Sequence, residues 1–184
     1  MLEKKAETTT GMLRMEEIQS QVLNKLEELA SVLTNLRYEG RFMFGKNLRA
    51  AQESSNFLRR VVLPYMDAED KIIFPFLEAH IPRFSPLIRL MRSQHLEFKS
   101  NLERFNDAVC ALVKEGYPLD SNKTLEAACQ TGTYLIYFLR HHIQTEKEGI
   151  YRVCAAELRS DEKKELEKQI SCHKSEKKVE LLYE

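Results

Sequence analysis

The sequence repeats itself. Displaced by 77 positions, Glu69 falls on Glu146, Leu58 on Leu135, Val62 on Leu139, Ile73 on Ile150 and Phe74 on Tyr151. Displaced by 76, Met15 falls on Met91, Val22 on Phe98, Leu26 on Leu102, Leu29 on Phe105 and Leu36 on Leu112. The matched residues recur at three- and four-residue intervals, the period of one helix face. The chain therefore reads as two copies of a helical hairpin, about 38 residues per helix and turn.

This pattern predicts four helices. The first runs from Met12 to about Arg37, with Tyr38 to Lys46 as the turn. The second runs from about Asn47 to Ala79, and Pro75 bends or ends its main segment because proline lacks the backbone donor. The third runs from Ser85 to Lys114, with Pro86 in its first turn. Asp120, Ser121 and Asn122 supply cap and turn chemistry before the fourth, Lys123 to Leu158. Only six glycines and five prolines interrupt 184 residues. Long helices with short connections give an all-α, up-down-up-down four-helix bundle. Residues 1–11 lack periodicity and read as a flexible lead-in, 12–158 as the bundle, and 159–184 as an extra, charged C-terminal helix on its outside.

Lysine and arginine number 28, as do aspartate and glutamate, so the formal net charge is zero. That balance argues against nucleic acid or an anionic membrane as partner. No run approaches the ~18 apolar residues of a membrane span, and the N-terminus has no signal-peptide core. Cys110, Cys129, Cys154 and Cys172 form no C-x-x-C pair and read as reduced thiols of a cytoplasmic protein. There is no nucleophile–base pair, phosphate loop or Gly-rich turn, so binding is favoured over enzymatic chemistry. The exception is oxygen activation beside Tyr65, for which nothing names a substrate. A protein partner or a homodimer stays open.

Four polar residues break the apolar faces: Glu69, His95, His142 and Glu146. His142 and Glu146 lie four apart, so on a helix they point the same way within roughly 40°. A carboxylate inside an apolar stripe must be paired, protonated or bound to metal. Pairing with Arg59 or Arg92 is one reading, a metal-free hydrogen-bonded network a second, and a shared metal site a third. In the repeat, His95 falls on Gln19 and His142 on Tyr65. His141 sits about 100° from His142 and faces solvent or the rim. His80 ends a helix and caps its carbonyls, Cys172-His173 is an incidental metal pair at most, and Glu16 is a substitute carboxylate for a second metal.

The runs Tyr65-Met-Asp-Ala-Glu69-Asp70-Lys-Ile-Ile-Phe74-Pro75 and His142-Ile-Gln-Thr-Glu146, together with Gln94-His95, resemble the hemerythrin-like (HHE cation-binding) family over about residues 12 to 158. The resemblance implies a four-helix bundle with a non-haem di-iron centre. It also implies glutamates bridging the metals, one iron on the histidines of helices three and four, and the other on those of helices one and two. The first set survives as Glu69, His95, His142 and Glu146. Tyr65 and Gln19 (or Gln21, the register being soft) replace the second. The expectation is therefore one metal, iron before manganese or zinc, and O2 or NO as a small diatomic ligand. The alternative is a degenerate, metal-free bundle serving as a structural or protein-interaction module.

Overall fold

The computed structural model describes residues 10–117 and 123–180, with side chains for 15–117 and 123–173. The expected caps Asp120, Ser121 and Asn122, most of the expected lead-in, and the side chains of Val179, Leu181 and Leu182 lie outside the described residues.

Helix α1 spans Thr10–Tyr38. Met15, Val22, Leu26, Leu29, Leu33 and Leu36 on one stripe are all buried. The sequence predicts a turn over Tyr38 to Lys46, and the structure narrows it to Glu39. Gly40, at φ +69°, restarts the helix at once. Glycine has no Cβ to clash in that left-handed geometry, so the chain reverses within one residue. Asn47 Nδ2 donates to Glu39 Oε2 at 3.0 Å across the corner, and Phe44 and Leu48 are core residues.

Helix α2 is continuous from Gly40 to His80 and comprises Gly40–Phe57, Leu58–Val62, Leu63–Ala68, Glu69–Ile73 and Phe74–His80. The second and fourth pieces are π turns. Pro75 does not end the helix, which runs on to His80. Residues Ile73 and Phe74 before it keep helical dihedrals. Pro64 and Pro75 each stand two residues beyond a π turn. The wider turn relieves the clash of the proline ring with the carbonyl four residues back, and the missing donor falls where the ladder is already re-spaced.

A short 3-10 turn, Pro82–Phe84, leads into α3, Ser85–Glu115. Its buried face is Ile88, Met91, His95, Phe98, Leu102, Phe105, Val109 and Leu112, and Leu87 is only half-buried. Helix α4 comprises Lys123–Thr145, a third π turn at Glu146–Tyr151, and Arg152–Glu157. Each of the four helices packs against its two neighbours in the ring α1–α2–α3–α4, which is the expected up-down-up-down bundle. A Cβ on Gly132 would come within 2.7 Å of Leu33 and 2.9 Å of Phe105, so α4 approaches its neighbours closely there. Helix α5, Ser160–Glu180, buries Leu166 and Ile170 and lies against α1 and the π turn of Glu69. Fully burying each such side chain contributes about 1.5–3 kcal/mol.

Candidate metal centre

Three helices converge on one buried cluster. Helix α2 supplies Glu69, α3 supplies His95, and α4 supplies His142 and Glu146. The four residues are 0 %, 5 %, 1 % and 0 % exposed, and one ligand atom from each lies within 4.8 Å of the others. The two glutamates therefore face each other across the axis, as the repeat predicts. Each opens a π turn: Phe74 N–H reaches back five residues to Glu69 O, and Arg152 N–H to Lys147 O. Neither Arg59 nor Arg92 pairs with Glu69. Arg92 lies 3.1 Å from Glu78 and 4.0 Å from Asp70.

Each of the four holds at least one buried polar atom without a hydrogen-bond partner: Glu69 Oε2, His95 Nε2, His142 Nε2 and Glu146 Oε1. His95 Nε2 stands 3.4 Å from Glu69 Oε2, and His142 Nε2 stands 3.0 Å from Glu146 Oε1. These contacts have ion-pair length but lack hydrogen-bond alignment. An unpaired buried polar atom costs about 1–3 kcal/mol, so four of them facing inward need a common partner. Two imidazole nitrogens and two carboxylate oxygens suit a borderline divalent metal. The residues fit one such ion.

The opposite atoms of His142, Glu69 and Glu146 are hydrogen-bonded from outside, whereas His95 Nδ1 has an acidic neighbour but no aligned hydrogen bond. His142 Nδ1 is 2.8 Å from Gln94 Oε1. A carbonyl oxygen can only accept, so the ring proton sits on Nδ1 and the lone pair on Nε2. Burial pushes the His142 imidazolium down to about 4, which keeps the ring neutral. His95 Nδ1 is 3.0 Å from Asp70 Oδ1. Burial lowers the pKa of His95, but contacts with Asp70 and Glu69 outweigh it and lift it to about 9 without metal. Burial also raises Glu69 and Glu146, and Glu69 rises further because Glu146 is beside it. Two carboxylates this close cannot both ionise cheaply without a cation. Phe74 stacks on His95 at 5.5 Å and Phe138 on His142 at 6.1 Å, fixing both ring planes.

The other half of the axis is filled by uncharged groups. Gln19 Nε2 donates to Tyr65 OH and to Glu146 Oε2, both at 3.0 Å. Tyr65 OH lies 3.2 Å from Glu146 Oε2 and 2.9 Å from Tyr151 OH, and Tyr151 OH donates to Glu69 Oε1. Burial, then the two glutamates, push Tyr65 well above the usual tyrosine range, so it stays a phenol. The oxygens that would face a second metal are taken by hydrogen-bond donors. Gln19 is the first-helix residue at the site, while Gln21 is exposed. Glu16 is also exposed and supplies no ligand. His141 is exposed, and His80 Nδ1 lies 2.8 Å from Phe76 O, as a cap does. His173 lies 3.9 Å from Asp67, away from the four.

Sequence reasoning missed roles for Gln94, Asp70 and Tyr151. Tyr151 left one signal, a hydroxyl where the repeat has Phe74. Among the described residues no helix is long and apolar enough to cross a membrane. The hemerythrin HHE cation-binding domain model matches residues 17–154. No curated protein and no solved structure matches significantly.

Proposed function

The chain belongs to the hemerythrin HHE cation-binding family, and from that premise we propose that it binds one divalent transition metal, non-haem iron, through Glu69, His95, His142 and Glu146. The observation that carries this is the set of inward-facing orphaned atoms, one from each of the four residues. One divalent ion with two carboxylates is neutral, which burial favours; two ions on the same pair would leave two positive charges in a low-dielectric core. Gln19, Tyr65 and Tyr151 hold the place of the second ion with neutral hydrogen bonds.

Bound ferrous iron would supply one-electron chemistry and an open position for a diatomic such as O2 or NO. The chain's part is to hold two neutral donors and two carboxylates in fixed planes and to exclude water. The void beside His142, Tyr65 and Gln19, walled by Ile18, Val22, Val62, Met66, Leu139 and Ile143, is about 10 Å³, room for about one water, so a diatomic on that side would need those walls to give. The four cysteines are free, which supports a reducing compartment such as the cytoplasm. A metal-free interaction module would leave those atoms in contacts of ion-pair length without hydrogen-bond alignment, and is disfavoured on that ground.

Elemental analysis of protein purified without chelator should give one iron per chain. His95→Ala and His142→Ala should each abolish tight binding, and Gln19→His with Tyr65→His should raise capacity towards two. Two irons per unmodified chain, or none on reconstitution, would overturn the reading.

A further inference from the structure

The four ligand residues are sealed, so any ion must cross the wall of the bundle. Between α2 and α3 lies an open groove of about 470 Å³, with Asp70 and His95 in its lining. Of the four, only His95 borders it. Asp70 is 37 % exposed at its side chain, yet its Oδ1 is buried and has no hydrogen-bond partner. That oxygen lies 3.0 Å from His95 Nδ1, and the far nitrogen of the same ring lies 3.4 Å from Glu69 Oε2. One ring therefore spans from the groove to the centre. The void beside His142 is an unsuitable route, since its walls are mainly apolar and it is about one water wide.

We propose that this groove is the port through which a divalent cation enters and leaves, with Asp70 as its landing carboxylate and the His95 ring as the group that hands it inward. The proposal rests on the four-ligand reading above. Lys71, held on Asp67 at 2.9 Å, and Arg59 and Lys99 line the same groove. Their charge opposes accumulation of cations there, so the port passes an ion without trapping it, and its rate is set by that repulsion.

The test uses the full chain and Co2+, with uptake followed by cobalt absorbance and release followed into excess chelator. Leu96 lines the groove and is 72 % exposed, so Leu96→Trp narrows it without touching the core. Uptake and release should slow together by about tenfold while Kd holds, because a plug raises the barrier and leaves both end states alone. Lys99→Glu should speed uptake and lessen the acceleration that added salt gives the wild type, because less repulsion is left to screen. Tyr137→Trp, on the separate groove between α1 and α4, should change neither rate. Unchanged rates in Leu96→Trp and Lys99→Glu, or equal slowing in Tyr137→Trp, would overturn the port alone. A wild-type chain that takes up no cobalt would overturn the four-ligand reading and the port with it.

Discussion

Gln94 acts on the centre without reaching into it. By accepting the Nδ1 proton of His142 at 2.8 Å, it leaves Nε2 free to ligate. Gln94→Leu should weaken metal binding by about 10–100-fold with all four ligands intact, as read by competition titration against a chelator. An unchanged affinity would mean that burial and the Phe138 stack alone orient the ring. Glu69, His95, His142 and Glu146 were legible because a charged or imidazole residue in an apolar stripe is anomalous by local pattern alone. Gln94 was not. It is one position from His95, about 100° round α3, where a half-buried glutamine is unremarkable.

At the scale of elements, the site is built on two π turns. Glu69–Ile73 and Glu146–Tyr151 correspond in the repeat, yet only the first is followed by a proline, so proline is not what makes the turn. Each π turn inserts one residue and rotates the later part of its helix by about 100° relative to a plain helix, which re-aims the glutamate against its neighbours. Lys71 is exposed and lies inside the first turn. Deleting it should close the turn to an α-helix, with helical circular dichroism retained and metal affinity reduced about 100-fold or more. Retained affinity would show that Glu69 does not need the π turn. Periodicity could announce the helices but not these turns, since a single inserted residue looks like ordinary scatter in a 3.6-residue pattern.

At the scale of the molecule, Cys154 reports on the packing of the core. It is 1 % exposed, and burial pushes its thiol up to about 12. The unfolded thiol loses its proton near the ordinary value of 9.0. The folded chain therefore holds the extra proton between these values. Its contribution is full below pH 9 and drains away as pH rises towards 12, at about 1.4 kcal/mol per unit. Between about pH 8 and 10.5, urea unfolding of the wild type should lose about 2 kcal/mol more than that of Cys154→Ala. Equal losses would mean that the thiol is not buried in solution.

The four helices, their antiparallel order and the four interrupting residues were determined by the sequence itself, because an apolar stripe is set by residues three and four apart on one stretch of chain. What only the tertiary structure decided is which carboxylate oxygens are already engaged by hydrogen-bond donors. Gln19 reaches Tyr65 across 46 residues and Glu146 across 127, and Tyr151 reaches Glu69 across 82. Which oxygen of a carboxylate is occupied, and which is left for an ion, depends on donors that arrive from other helices, and no local spacing encodes them.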